Sequence, residues 1–404
     1  MKIIFWGGGD TAREKIYKIK KLSACIEIIA FVDGFIEFSE KDIRWEGFRL
    51  ISPQMIRRYH IDYLCILSKW EWEIRKRIYD EKLFDLNRIV SFFEICLMDS
   101  FGENIKICYK NLLQNIHPQQ IDYAKRWAVY EYLKKNYSYI LLDEKYQNLS
   151  LDKKIGIEEH KSPIWILWLQ GFEAAPEVVK ICVRSIKKRL AGEQLYLLDQ
   201  YNVFDYIDVP YYIVDKWKKG VISYTHFSDF VRVRILNIYG GIWIDATVYF
   251  TGNGLPYYLK AGKLFMFSRW LDWRNCPEPR ITANWLICAP PANKILIVLE
   301  AFLREYWKKE DRIIDYYFFH IFLTMIIMCF PNEWEGVEKV LRDPAQLLND
   351  EMMLPFNADR FRFIKQNSDF HKLSNKSLYI NSGENSFWNE ICEMENSEGE
   401  YERF

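Results

Sequence analysis

SDFVRVRILNIYGGIWIDATVYF, Ser228 to Phe250, holds an acid and an arginine three apart, a glycine pair, and an aspartate inside an apolar run. The first half has helical spacing. Phe227, Val231, Ile235 and Ile238 form a buried stripe, while Asp229, Arg232 and Leu236 share another face. Ser228 or Thr225 is the expected N-cap. Gly240-Gly241 stops the helix, because the residue that turns a helix off adopts a left-handed backbone that glycine tolerates. A strand follows at once. Alternation sends Ile242, Ile244, Ala246 and Val248 to one side and Trp243, Asp245 and Thr247 to the other. Asp245 is then explained as a cleft-facing group, within reach of Asp229 and Arg232. A carboxylate at a strand end suits Mg²⁺ or Mn²⁺ carrying a diphosphate, since these hard cations take oxygen ligands.

Working outward, the chain alternates short apolar strands with amphipathic helices, which predicts an α/β fold with parallel sheets. Strands are expected at Lys2–Trp6, Ile26–Val32, Asp62–Leu67 and Arg88–Phe93, giving a small Rossmann-like domain over 1–103. Residues 104–158 read as a helical connector. A second α/β domain, 159–404, opens with strands at Pro163–Leu169 and Gln194–Leu198 around a helix at Glu177–Leu190. It continues with strands at Leu264–Phe267 and Asn284–Ala289 and helices at Lys294–Lys308 and Ile313–Cys329. The apolar run Tyr316–Phe330 is too short to span a bilayer and contains His320, so a buried helix is expected. The polar tail from Ser382 is expected to fray.

Composition narrows the function. The chain has 404 residues, half hydrophobic and 17% aromatic, with 55 basic and 55 acidic side chains. That balance lacks the basic surplus of a nucleic-acid binder. The nine cysteines are dispersed with no Cys-x-x-Cys pair, as reduced thiols in a cytosolic protein are. Met1–Trp6 enters a strand and a glycine turn directly, unlike a signal peptide.

That turn, Gly7-Gly8-Gly9-Asp10-Thr11-Ala12, fits G-x-G-x-x-A between a strand and a helix, with Asp33 closing the next strand. Gly7, Gly9 and Asp33 are therefore the expected dinucleotide contacts: backbone to the pyrophosphate, acid to the ribose. Tyr130 and Lys134 have the spacing of a dehydrogenase pair, but they lie in the connector among many like residues and read as coincidence. The stretches IIFWGGGDTA and IEIIAFVDG resemble the small N-terminal domains attached to bacterial polysaccharide enzymes.

The segment SDFVRVRILNIYGGIWIDATV resembles the signature of the capsular polysaccharide synthesis glycosyltransferases. WILWLQGFEAAPEVVKICVRSI and YNVFDYIDVP extend the likeness over roughly Pro163 to Lys376. The resemblance implies a GT-A nucleotide-sugar transferase domain of the retaining, Asp-x-Asp type. It implies that Ser228, Asp229 and Arg232 hold the donor sugar. Asp245 matches the first acid of Asp-x-Asp and the metal position, while Thr247 replaces the second acid and leaves the need for Mn²⁺ or Mg²⁺ open. It places Trp168, Gln170 and Asn202 near the nucleotide. Asn284 suits sugar hydroxyls or a turn. Asp315 contacts a substrate or caps a helix. His371 or Lys372 faces the leaving diphosphate or serves the fold.

The expected activity is transfer of a hexose from a nucleotide diphosphate sugar, UDP-glucose or UDP-galactose, to a lipid-linked or growing polysaccharide with retention. The expected setting is bacterial capsule synthesis in the cytoplasm, with peripheral contact at the inner face of the membrane. The alternative is an NAD- or sugar-nucleotide-binding protein acting through Gly7–Asp33. Oligomeric state is not legible.

Overall fold

A computed structural model describes residues 1–36, 42–101, 121–149, 162–260, 262–375, 383 and 385–396. The fold is mixed α/β, and the chain divides into two compact units. The first comprises Met1–Asn148 with Pro277–Pro279; the second comprises Leu149–Cys276 with Arg280–Phe404.

The first unit is built on a six-stranded sheet. Its strands are β1 (Lys2–Trp6), β2 (Glu27–Val32), β3 (Ile43–Trp45), β4 (Phe48–Ile51), β5 (Tyr63–Ile66) and β6 (Ile89–Val90), in the order β3-β4-β2-β1-β5-β6. All neighbours are parallel except the β3–β4 hairpin. Central β1 is apolar because both its faces are covered: Ile3 and Phe5 enter one core, Ile4 and Trp6 the other. The hairpin turns at Glu46 (φ 54°) and Gly47 (φ 91°), the paired positive φ of a tight two-residue loop. No strand was expected there. The strand expected over Arg88–Phe93 is only two residues long, and Phe92–Phe101 is helical.

The connector expected over 104–158 is not a separate body where it is described. The helices Ile121–Tyr137, Tyr139–Leu142 and Glu144–Gln147 belong to the first unit. Leu133, Tyr137, Leu141 and Leu142 are buried, and Lys134 Nζ pairs with Glu71 and Glu131 at 3.0 Å each. Lys134 is thus used in a buried ion-pair cluster, with its Nζ over the Tyr130 ring.

The second unit has a five-stranded sheet. Its strands are β7 (Ile164–Leu167), β8 (Leu195–Leu198), β9 (Gly241–Ile244), β11 (Phe265–Ser268) and β12 (Thr282–Ala289), in the order β11-β12-β9-β7-β8. β8, β7 and β9 run parallel; β12 and β11 are antiparallel to their neighbours. A two-stranded antiparallel ribbon joins β10 (Val248–Phe250) to β13 (Phe370–Lys372). All four β7 residues are buried, as a central strand covered on both faces requires. The helix Glu177–Arg189 opens with Glu177 and closes with Lys187-Lys188-Arg189, complementing its dipole. It buries Val178, Val179, Ile181, Cys182, Val183 and Ile186.

The helix of the opening motif runs Tyr224–Tyr239, and its cap is Ser223, whose side chain accepts the His226 N–H. The expected caps Thr225 and Ser228 therefore lie inside the helix. Phe227, Val231, Ile235 and Leu236 are buried, but Ile238 is exposed because the stripe ends before the last turn. Gly240 (φ 65°) and Gly241 (φ 97°) both have positive φ. A Cβ at Gly240 would lie 2.7 Å from Pro291 N, and one at Gly241 would lie 2.2 Å from Pro163 O. The pair thus turns the chain and lets β9 approach β7 closely.

The apolar run beginning at Tyr316 forms the helix Phe318–Cys329, whose Phe318, Phe319, Ile321, Phe322, Leu323, Met325, Ile326 and Ile327 are buried. Each large apolar side chain sequestered there contributes about 1.5–3 kcal/mol. Among the described residues no helix is long and apolar enough to cross a membrane. Within the expected frayed tail, Phe387–Asn396 is a helix with Phe387, Trp388 and Ile391 buried; residues 397–404 lie outside the described residues.

Candidate functional site

The strand expected to run through Asp245 ends one residue before it. β9 stops at Ile244, Asp245–Thr247 form a turn closed by Val248 N–H to Asp245 O at 3.0 Å, and β10 joins a different sheet. The expected alternation is therefore broken: Trp243 is buried in the sheet, while Asp245, Ala246 and Thr247 all line one cavity. The Asp245 N–H still bonds Trp285 O on β12 at 2.8 Å, so the acid is anchored by its backbone at the sheet edge while its side chain enters the cavity.

The cavity, ≈ 560 Å³, lies at the carboxyl ends of β7 and β9, with Trp168 and Gln170 following β7 and Asp245 following β9. Open α/β sheets bind ligands at that edge. Ser228, Asp229, Arg232, Thr247, Asn284 and Lys372 also line it.

Arg232 organises the acids. Its Nη1 lies 3.0 Å from Asp229 Oδ1, and its Nη2 lies 3.1 Å from Asp245 Oδ1. The guanidinium also donates to Asn284 O at 3.1 Å and Ser228 Oγ at 3.3 Å. Asn284 Nδ2 donates to Asp229 Oδ1 at 2.9 Å. Asp229 and Arg232 are each 3% exposed, so this pair is shielded from water and each partner depends on the other. Asp245 receives further donors: Trp243 Nε1 to Oδ1 at 3.0 Å and Lys372 Nζ to Oδ2 at 3.1 Å. Lys372 Nζ also donates to Thr247 Oγ1.

The two acids differ electrostatically. Burial pushes the Asp229 carboxyl above its ordinary pKa, with Arg232 opposing. Burial acts the same way on Asp245, but Lys372 and Arg232 outweigh it and hold that carboxyl below the ordinary range. His320 also lines the cavity; burial, and then Arg280, Arg232, Arg269 and Arg342, hold its pKa far below that of a free imidazole. It is neutral at neutral pH.

Three expected site residues are elsewhere. Asn202 fastens the loop after β8: its Nδ2 donates to Leu197 O at 3.0 Å and its Oδ1 accepts the Asp199 N–H at 2.9 Å. Asp315 Oδ1 accepts the Tyr317 N–H at 2.8 Å in the turn that starts the next helix. His371 is fully buried, with Nε2 2.9 Å from Thr251 Oγ1, because alternation along β13 sends it to the face opposite Lys372. None of the three lines the cavity.

Residues the sequence reading passed over are Arg269, Arg280 and Arg342, all on the cavity wall. They come together because Arg269 N–H bonds Ile281 O and Arg342 N–H bonds Ser268 O, each at 2.9 Å, so three neighbouring backbone segments present them side by side. The available signal was a basic residue just after β11 and another just before β12, at the same end of that antiparallel pair. With them, among the described residues, the cavity carries five cationic side chains, Arg232, Arg269, Arg280, Arg342 and Lys372, against the carboxylates Asp229 and Asp245.

Residues 109–391 match the family described as capsular polysaccharide synthesis protein. The chain belongs to that family. Residues 1–90 of this capsular polysaccharide synthesis family member match a second description, C2185-like, N-terminal. Among curated proteins none matches the chain.

The metal expected at Asp245 meets an unsuitable donor set. Both carboxylate oxygens already accept from other groups, two of them cationic, and Thr247 Oγ1 is engaged by the same lysine. Among the described residues no group of three or more His, Cys, Asp or Glu side chains is arranged to hold an ion. These residues do not fit a hard divalent cation, which favours several open oxygen ligands.

In the first unit, Gly7 has φ 131°, and a Cβ there would lie 2.4 Å from Leu67 O. Its glycine is required by the fold itself. Gly9 precedes the helix Asp10–Ile19, and Asp33 Oδ1 accepts the Phe35 N–H at 2.9 Å.

Proposed function

We propose that the second unit is a GT-A-type glycosyltransferase that moves a hexose from a nucleotide diphosphate sugar to a lipid-linked or growing polysaccharide in capsule synthesis. The observation that carries this reading is the excess of cationic side chains in a cavity at the carboxyl ends of β7 and β9, beside two acids locked to one arginine. A diphosphate supplies the matching negative charge, and the acids suit sugar hydroxyls, which donate hydrogen bonds to carboxylates. Trp168 and Gln170 at the end of β7 are the proposed nucleotide contacts, with UDP as the carrier and glucose or galactose as the sugar. Asp229 and Asn284 are the proposed sugar contacts, with Ser228 and Arg232 positioning them.

In the reaction the bond from the sugar C1 to the β-phosphate oxygen breaks and a bond from C1 to the acceptor oxygen forms. The acceptor proton passes to an oxygen of the departing diphosphate, so nucleoside diphosphate leaves. Positive charge grows at C1 and negative charge on the diphosphate. The fixed guanidinium and ammonium groups stabilise the latter without reorganising at the moment of reaction. Attack from the face the diphosphate leaves gives retention. The chain works at the cytoplasmic face of the membrane in this reading.

Hydrolysis of UDP-glucose and UDP-galactose by the purified chain, followed as UDP release, tests the reading. Wild type is expected to release UDP slowly, and Asp229→Ala and Asp245→Asn are expected to abolish release while keeping the circular dichroism spectrum. Equal release by wild type and both folded variants would sink the site assignment.

A further inference from the structure

We propose that the cavity takes its nucleoside diphosphate without a divalent cation, and that Lys372 occupies the place such an ion would hold. The inference rests on the donor reading above and specifies how its charge is met. Lys372 Nζ spans both positions of the Asp-x-Thr pair: it lies 3.1 Å from Asp245 Oδ2 and donates to Thr247 Oγ1. A dication arriving at Asp245 has to displace that ammonium and settle beside Arg232, which lies 3.1 Å from the other oxygen. Like charges oppose both steps.

The lysine is held in place by backbone. In the β10–β13 ribbon Lys372 is opposite Val248, and Leu373 N–H bonds Thr247 O at 2.9 Å. The turn that presents Asp245 and Thr247 is therefore stitched to the strand that presents Lys372. Arg269, Arg280 and Arg342 on the same wall supply the remaining positive charge. Bound diphosphate is met by these guanidinium groups and by the Lys372 ammonium from its place beside Asp245 and Thr247.

Calorimetric titration of the full chain with UDP, and with GDP and TDP in parallel, decides this in chelator-treated buffer and again with Mn²⁺. The expected result is binding in chelator with a Kd that Mn²⁺ changes by no more than about twofold. Lys372→Ala is expected to weaken binding in chelator by at least about tenfold, and to make it respond to Mn²⁺, since Asp245 is then open. Lys372→Arg, which keeps the charge, is expected to retain most of the affinity. Thermal melts of both variants separate lost binding from lost fold. Wild-type binding tightened tenfold or more by Mn²⁺ would overturn the inference and leave the donor reading standing. Lys372→Ala binding as tightly as wild type in chelator would overturn the role of Lys372. Absence of binding to all three nucleotides, with and without Mn²⁺, would sink the donor reading itself.

Discussion

Lys372 Nζ lies 3.1 Å from Asp245 Oδ2, although 126 residues separate the two in sequence. The contact joins two sheets: Asp245 directly follows β9, the central strand of one, and Lys372 ends β13 of the other. Together with Arg232 it makes Asp245 the meeting point of two cations.

Arg232 holds both acids, so its loss should be costly. Arg232→Met leaves Asp229 buried with no counter-charge, and breaking such a pair costs about 3–5 kcal/mol. Chemical denaturation should show that loss in the second unit, and a double variant Arg232→Met, Asp229→Leu should recover part of it.

Gly241→Ala should be strongly destabilising. The new methyl would lie 2.2 Å from Pro163 O at a backbone φ of 97°. Strain at such a position costs of order 1–3 kcal/mol, before any displacement of β7. Thermal unfolding should reveal it. Gly254→Ala, with no neighbour within 4 Å but a φ of 98°, isolates the backbone cost alone.

Stability should fall on mild acidification. Burial, and then Lys365, push the His371 pKa down to about 3, whereas an unfolded histidine titrates near 6.5. A depressed histidine keeps its full contribution only above the unfolded pKa, and stability is lost as pH falls from there towards the folded value. At pH 5 that amounts to about 2 kcal/mol. Denaturation midpoints from pH 7.5 to 5 should show a shallower slope for His371→Gln than for wild type.

Nucleotide affinity should fall with added salt, since exposed and half-exposed charges are screened. Arg342→Gln should weaken UDP several-fold and flatten that dependence, measured by titration at two ionic strengths. Unchanged affinity and slope would place Arg342 outside the diphosphate site.

Most strands were legible because apolar runs of four to six residues between helical patterns leave few alternatives. β3 and β4 were not: Ile43–Trp45 and Phe48–Ile51 are short, carry arginines, and depend on a turn with positive φ at Glu46, a residue that does not announce one. The cluster Asp229, Arg232, Asp245 was legible because helix spacing and a glycine stop fix its members locally. His371 and Lys372 could not be separated by sequence, since only the pairing of β13 decides which faces the cavity. Asn202 was drawn into the site by the family resemblance and Asp315 by its place before the apolar helix, yet each is used up by a local turn. The arginines at 269, 280 and 342 escaped notice because tertiary pairing alone brings them together.

The β10–β13 ribbon also sets when the pocket becomes complete. A chain that has left the ribosome only as far as residue 369 has its helix, its β9 acid and its guanidinium, but lacks the strand that carries the ammonium and seals the turn. The cavity wall that carries Lys372 is thereby completed only when late-emerging sequence pairs with the earlier strand β10.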